Sequence, residues 1–412
     1  MNIAVFGLGF VGLTTALGFA EKGFAVRGYD INNERSLGIA CGEVPFFEPG
    51  LDDALERNLG KTFVLTDNAA DAAAGRDVCF FCVGTPELPD GSADLTYIFS
   101  AVDSILKTVS DTCVFVIKST VPPGTVRERI VPYVRSKGAR NPIVVNPEFL
   151  REGRCWDDFM NADRIVCGVD GDVAKDTLAT LYAPFSAPIH FVEQNTAEFI
   201  KYLSNSLLAT LISYSNEMAL LADAIGGIEV AQAFRILHED RRLAGAGINT
   251  YIHPGCGYGG YCLPKDTEAL NATAKSNGFM PRILEGVISL NKEMSYFTAK
   301  KITLAANDKY EKIGILGLSF KPGSDDVRDS SAAKIITELI REGYTNIYAY
   351  DPIAINEFQN VYGLPIAYCA SKDEVCRSCR VVAVVTAWEE FKKVNLDFPA
   401  VNFVDCRYCL DK

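Results

Sequence analysis

The sequence predicts an α/β protein with two doubly wound domains, joined by a long central helix and an all-α middle segment. Three observations carry that prediction. The chain opens on a strand, a glycine turn, a helix and a second strand within its first thirty residues. A similar strand and turn return at Lys312. Between them, from about Thr196 to Asp240, the pattern is helical and no strand interrupts it. A length of 412 residues allows two or three domains at roughly 150 residues each. The expected division is 1–195, 196–300 and 301–412.

Composition narrows the class. Hydrophobic residues make up 48% and charged residues 22%, as in an ordinary globular chain. Forty basic against 52 acidic residues give a net charge of −12. That argues against nucleic acid or an anionic membrane as the main partner, while leaving room for a local basic pocket that holds phosphate. The opening Met1–Gly7 has no basic segment ahead of its apolar run and does not read as a secretory signal. No apolar stretch is long and clean enough to span a bilayer. The expectation is a soluble cytoplasmic protein.

The first unit is the most explicit. Ile3–Phe6 reads as a strand, Gly7-Leu8-Gly9-Phe10-Val11-Gly12 as a turn, Val11–Lys22 as a helix and Phe24–Tyr29 as a strand that ends at Asp30. This is the dinucleotide-binding arrangement. Gly7 makes the tight turn, Gly9 admits a pyrophosphate, and Gly12 lets helix and strand pack closely. The helix N-terminus supplies amide donors to the anion. Asp30 suits a ribose 2′-hydroxyl and repels a 2′-phosphate, so NAD is expected over NADP. Further strands are expected at Val78–Val83, Cys113–Lys118, Ile143–Asn146, Arg164–Gly168 and Ile189–Val192. The first three run into Gly84-Thr85-Pro86, Ser119–Thr125 and Asn146–Phe149. In an open parallel sheet such segments lie at the carboxyl ends of strands, where ligands bind.

A long helix is expected from Thr196 to about Ala224 and a second from about Ile228 to Asp240. On the long helix Lys201 and Asn205 stand four apart and share a face, where a Lys and an Asn can stabilise an oxyanion. Taken alone, a solvated lysine on a helix is the better reading. The segment Lys312–Phe320 then echoes Asn2–Phe10, with Ser319 in place of Gly9. Close approach of a pyrophosphate is therefore not expected in the second Rossmann-like domain. Its strands are expected at Asn346–Tyr350, Val381–Thr386 and Asn402–Asp405, and its first loop carries the cations Lys321 and Arg328.

Thirteen cysteines are spread along the chain, an arrangement unlike a disulfide scaffold. The pairs Cys376/Cys379 and Cys406/Cys409 suggest zinc. In a parallel sheet, though, Cys379 precedes one strand and Cys406 ends the next, a strand length apart, so no metal is expected. Cys262 is different. It follows a glycine run and precedes Leu263-Pro264-Lys265-Asp266. Pro264 suits the first turn of a helix, and a thiol at a helix start beside Lys265 should be acidic and nucleophilic. Asp266, four residues on, shares its face. A thiolate beside a carboxylate in a dehydrogenase suggests capture of an aldehyde, oxidation to a thioester and hydrolysis. The three histidines, His190, His238 and His253, sit in no evident catalytic context.

These segments together resemble the nucleotide-sugar 6-dehydrogenases, the UDP-glucose/GDP-mannose dehydrogenase family. The resemblance spans nearly the whole chain and keeps the motif order GLGFVG, STVPPGT, NPEFLREG, the Lys201/Asn205 helix, GYGGYCLPKDT and GLSFKPGSDDVRDS. It implies a four-electron oxidation of a primary alcohol by two NAD, two α/β domains and a homodimer built on the central helix. Cys262 matches the nucleophile and Asp266 the carboxylate near water and thiol. Lys201 and Asn205 match the oxyanion pair, Glu148 an acid in the aldehyde or thioester chemistry, and Thr120 a hydroxyl that orients water. Gly7, Gly9, Phe10, Val11, Gly12, Asp30, Arg35, Thr85, Thr120, Glu152, Lys265 and Arg328 fall on the cofactor side. Glu148, Phe149, Leu150, Glu152, Lys201, Asn205, Arg242, Tyr251, Gly259, Cys262, Phe320 and Lys321 fall on the substrate side. UDP-glucose is the favoured nucleotide sugar; GDP-mannose and a UDP-N-acetylhexosamine are the alternatives, followed by a two-electron hydroxyacid oxidation that leaves Cys262 unexplained.

The chain departs from the family pattern at three places. Tyr261 stands where many relatives have Ser. About four extra residues follow Asp240-Arg241-Arg242, around 244–249. Cys256 adds a second thiol to the glycine run.

Overall fold

The computed structural model describes residues 1–243 and 247–411. Part of the expected insertion, 244–246, lies outside the described residues. The chain divides into two compact units, Met1–Ser204 and Asn205–Lys412.

The first unit is built on an eight-stranded sheet in the order β3-β2-β1-β4-β5-β6-β7-β8. Its strands are β1 (Asn2–Phe6), β2 (Ala25–Tyr29), β3 (Phe63–Leu65), β4 (Val78–Phe81), β5 (Val114–Ile117), β6 (Ile143–Val145), β7 (Ile165–Gly168) and β8 (Ile189–Val192). The strands are almost wholly apolar because both faces are covered. Ile3 and Val5 enter one core, while Ala4 and Phe6 enter the other. Phe19 on the first helix, Phe10–Glu21, is the hub of the former. Its ring meets Phe80, Tyr182, Phe159 and Phe185 at centroid distances of 5.2, 5.4, 5.6 and 5.7 Å.

The sheet is not parallel throughout. β7 runs antiparallel to β6 through Val145 and Gly168, and β8 follows β7 in parallel. The linker from β6 devotes its first residues to the Glu148 loop and holds only the six-residue helix Cys155–Met160. Gly168 also brings the next helix close: a Cβ there would stand 2.7 Å from that of Ala197.

That helix, Gln194–Ile225, is continuous for 32 residues and crosses the boundary between the units. The second unit continues with helices Val230–His238, Cys262–Ser276 and Arg282–Ala305. A five-stranded parallel sheet follows, in the order β11-β10-β9-β12-β13. Its strands are β9 (Ile313–Leu316), β10 (Ile347–Tyr350), β11 (Ala367–Tyr368), β12 (Val381–Val384) and β13 (Asn402–Asp405). The expected strands are all present within one or two residues. The short edge strands β3 and β11 were not foreseen.

The two sheets repeat one device. Asp30, just after β2, accepts Leu8 N at 2.6 Å; Asp351, just after β10, accepts Leu318 N at 2.8 Å and Ser319 N at 3.1 Å. In each case the acid ending the second strand clamps the turn after the first.

Replacing Phe19 with Ala is expected to destabilise the first unit by about 3–5 kcal/mol, since a fully buried aromatic hub leaves a cavity. The measurement is a urea titration followed by fluorescence of Trp156, which packs against the same core. An unchanged midpoint would contradict the assignment of that core.

Candidate active site

The glycine turn shows why each glycine is required. Gly7 has φ +86°, and a Cβ on it would lie 2.9 Å from the Cys82 carbonyl. A Cβ on Gly12 would fall 1.7 Å from the Gly7 carbonyl oxygen. A Cβ on Gly9 would meet nothing within 4 Å, so the space beside it is open. The helix that starts at Phe10 has no side-chain cap and no acid in its first turn among the described residues. The Val11 and Gly12 amides at this helix start suit an external anion. Asp30 is buried, and its carboxylate also takes Arg35 Nη1 at 3.0 Å. Phe10 stacks on Phe46 at 3.9 Å. Thr85 donates to the Thr120 carbonyl at 2.9 Å, which ties the loop after β4 to the loop after β5. These groups fit a dinucleotide.

In the second unit the echoing turn is filled instead. The Ser319 hydroxyl bonds Asp351 at 3.1 Å, and the Trp388 indole donates to the same carboxylate at 3.1 Å. The acid that matches Asp30 is thus held by two side chains as well as by the Leu318 and Ser319 amides.

At the carboxyl end of β6 lies a buried ion pair. Lys201 Nζ stands 2.8 Å from Glu148 Oε1, with both side chains about 5% exposed. Leu150 N donates to Glu148 Oε2 at 2.6 Å. Burial pushes the Glu148 carboxyl up, but Lys201, the Leu150 amide and Lys118 outweigh it and hold it below its ordinary value. The Phe149 ring lies under the Arg164 guanidinium at 4.2 Å and the Lys201 ammonium at 5.6 Å. Glu152 stands half-buried further along this loop.

The second unit gathers a separate cluster. Cys262 is the first residue of the 15-residue helix Cys262–Ser276, where the helix dipole favours negative charge on sulfur. Asp266, one turn on, accepts Asn205 Nδ2 at 2.6 Å through one oxygen and Lys265 Nζ at 2.6 Å through the other. Burial pushes the Lys265 ammonium down, but Asp266 outweighs it and leaves Lys265 above its ordinary value. The Tyr261 ring carries Arg328 at 4.5 Å and Lys265 at 5.5 Å over its faces. The glycine run is pressed against the loop after β9: Gly260 N donates to Arg328 O at 3.0 Å, and a Cβ on Gly259 would meet Asp329 O at 2.4 Å. Phe320 crowds Gly260 in the same way.

The residues named from the sequence therefore form three groups. Around the glycine turn are Gly7 to Gly12, Asp30, Arg35, Thr85 and Thr120. Around Lys201 are Glu148, Phe149 and Leu150. Around Cys262 are Asp266, Asn205, Lys265, Gly259, Phe320 and Arg328. Lys321 stacks on its neighbour Phe320 at 5.3 Å. Tyr251 follows the short turn Ile248–Thr250. Arg242 is not brought into any group; its side chain is 88% exposed and pairs with Asp240. Sequence reasoning missed Lys118, buried and donating to Asn146 at 3.0 Å, and Glu198, buried one turn before Lys201. The position of Lys118 beside Ser119-Thr120 was the available signal; Glu198, whose partners are backbone amides, offered none.

Family models match three successive segments: the NAD binding domain over residues 1–186, the central domain over 195–293 and the UDP binding domain over 314–412. The chain belongs to the UDP-glucose/GDP-mannose dehydrogenase family. As a member it is an NAD-dependent nucleotide-sugar dehydrogenase. It is 37% identical over 402 residues to a UDP-glucose 6-dehydrogenase of Rickettsia typhi, covering 96% of this chain and 91% of that one. The solved structure of a UDP-glucose dehydrogenase from Pyrobaculum islandicum superposes with a TM-score of 0.91 at 34% identity, covering 99% and 94% of the two chains. A UDP-D-ManNAc dehydrogenase from Pyrococcus horikoshii gives 0.88 at 28% identity, covering 100% and 96%.

The Glu148–Lys201 pair yields a signed pH prediction. With Lys201 present, Glu148 adds stability above the ordinary carboxylate range and loses it as pH falls through its depressed value. In Lys201→Met, burial dominates and Glu148 moves above its ordinary value, so the penalty is full at pH 8 and relieved as pH falls. The expected loss is about 3–5 kcal/mol at pH 8 and clearly less at pH 5, read from thermal melts. An equal loss at both values would contradict the pairing.

Proposed function

We propose that the chain oxidises UDP-glucose to UDP-glucuronate in a four-electron reaction with a covalent intermediate on Cys262. The observation that carries this reading is the placement of Cys262 at a helix start, one turn before a carboxylate clamped by Asn205 and Lys265. A two-electron alcohol oxidation needs no such thiol. The substrate choice draws on the relatives, whose printed names are UDP-glucose 6-dehydrogenase at 35–37% identity.

Gly7, Gly9 and Gly12 would admit the NAD pyrophosphate, Asp30 its adenosine ribose, and Thr85 and Thr120 would line its path. Bound NAD supplies the hydride acceptor, two per turnover. The rest of the chemistry belongs to the chain. The primary alcohol loses a hydride and a proton to become an aldehyde. The Cys262 thiolate adds to the aldehyde carbon and gives a thiohemiacetal. Lys201 and Asn205, one turn apart on one face of the central helix, stabilise the oxyanion. Loss of a second hydride leaves a thioester. Water, oriented by Thr120 and with Asp266 to take its proton, releases the carboxylate and returns the thiolate. Glu148 balances the Lys201 charge in the free enzyme and exchanges protons during the aldehyde steps. Phe149, Leu150, Glu152, Tyr251, Gly259, Phe320, Lys321 and Arg328 would hold the nucleotide sugar.

The same proposal divides the chain at 1–195, 196–300 and 301–412 and makes the middle part the dimerisation domain. Along the central helix Phe199, Leu203, Leu207, Tyr214 and Leu221 are each about half exposed, an apolar stripe that recurs every four or seven residues. A second copy of the helix is the natural cover for it, and Arg242 would then serve the neighbouring subunit. Leu207→Glu combined with Leu221→Glu is expected to yield monomers in sedimentation equilibrium; an unchanged dimer would remove the stripe from the interface. A cytoplasmic location accords with thirteen free thiols among the described residues.

The test is NADH formed per molecule of limiting UDP-glucose, with GDP-mannose and UDP-N-acetylglucosamine as controls. Two NADH and a uronate product are expected. One NADH would sink the thioester route. Two NADH from a control alone would keep the mechanism and change the substrate. Cys262→Ala is expected to lower kcat by on the order of 10³-fold or more.

A further inference from the structure

The loop after β5 begins Ser119-Thr120-Val121-Pro122-Pro123-Gly124-Thr125 and leads into the helical segment that starts at Val126. Two consecutive prolines remove amide donors from it, and its internal turn bond runs from Thr125 N to Pro122 O at 3.0 Å. It is fixed from outside at both ends. At the near end Ser119 Oγ donates to Val83 O at 2.6 Å, and the Thr120 carbonyl accepts Thr85 at 2.9 Å. At the far end Gly124 N and Val126 N donate to the two oxygens of one carboxylate, Glu198, at 2.6 and 2.8 Å. Glu198 is 2% exposed. It caps the helix that follows the loop, in the manner of an N-cap acid but from a different element.

Glu198 stands on the central helix, three residues before Lys201 and seven before Asn205, so the three side chains share a face. Lys201 reaches the Glu148 loop from that face; Glu198 reaches the Thr120 loop. The charge opposite Glu198 on the loop's helix is Glu128, and the nearest charge on its own face is Lys201, which is turned to Glu148.

We propose that Glu198 is a positioning residue for the oxidation: its carboxylate fixes the Thr120 loop against the helix that carries Lys201 and so sets the cofactor-side wall of the site. The proposal rests on the assignment of Thr120 to that wall. Burial pushes the Glu198 carboxyl up to about 7 in spite of its two amide bonds. Its charge is therefore a cost to the folded state, whose stability should fall as pH rises from the ordinary glutamate range to about 7 and stay level above that. A side chain retained only for stability would not need that charge.

The experiment compares wild type, Glu198→Gln and Glu198→Asp at pH 8. Glutamine is isosteric but can accept only one of the two amides. Removing the charge cost offsets the lost bond, so its melting temperature is expected within about 2 °C of wild type. The NADH Kd by fluorescence and the KM for NAD should rise about five- to tenfold, while the KM for UDP-glucose stays within about twofold. Aspartate, charged but a carbon shorter, should fall between the two. NAD parameters equal to wild type would overturn the proposal, as would losses that track the melting temperature or strike both substrates alike. If the variants do not fold, hydrogen exchange on the wild type decides: NADH should raise protection of the 119–130 segment, and an unchanged segment would overturn the proposal. The NADH titration and exchange need no sugar turnover, so they separate this outcome from a failure of the UDP-glucose reading.

Discussion

Lys201 brings a full charge to a position about 5% exposed, and much of the site follows from what that requires. A buried ammonium is tolerable only when paired and hydrogen-bonded. Glu148 meets the first need, which fixes the loop after β6. That loop in turn places Asn146, whose side-chain oxygen takes both Lys118 and the Tyr182 hydroxyl. The same logic recurs in the second unit, where Asp266 is satisfied on each oxygen by Lys265 and Asn205. Lys201 and Asn205 are a turn apart on one helix. Each of the two thus serves the buried network of its own unit.

Close backbone approach is the second constraint. The turn after β1 works because Gly7 and Gly12 leave room for each other, while the space at Gly9 stays open. The turn after β9 keeps the clamp, with Asp351 standing as Asp30 does, but a serine hydroxyl and the Trp388 indole close over it. One architecture thus serves two purposes. The first copy leaves its helix N-terminus to an anion. In the second copy the loop packs on the glycine run before Cys262, where Gly259 and Gly260 admit Asp329 and Phe320. Tyr261 acquires a role there as the platform under Arg328.

How much of this was legible in the sequence depends on how local each feature is. The glycine turn, the alternation around β1 and the long helix were legible because the residues that specify them lie within a few positions of one another. The short strands β3 and β11 were not, since two or three half-covered edge residues leave no period to detect. The reversal of β7 against β6 is not marked in the strand itself. Cys262 and Asp266 could be paired by helical spacing, but the clamp on Asp266 joins residues 61 positions apart. Glu198 was invisible for a different reason. Its partners are backbone amides, which carry no residue signature, and a glutamate on a helix reads as a solvated face. Asp30 was read as a ribose acceptor, but its bond to the Leu8 amide, which gives it a structural part, was not legible.

The central claim is a covalent bond between Cys262 and the substrate carbon. It is tested most directly in Asp266→Asn, where hydrolysis should slow more than thioester formation. The variant would be mixed with UDP-glucose and NAD, quenched in acid, digested and read by mass spectrometry. The account predicts a sugar-nucleotide adduct on the peptide that contains Cys262, and none in Cys262→Ser. Turnover of UDP-glucose to uronate in Cys262→Ser at the wild-type rate, with no adduct in Asp266→Asn, would contradict it.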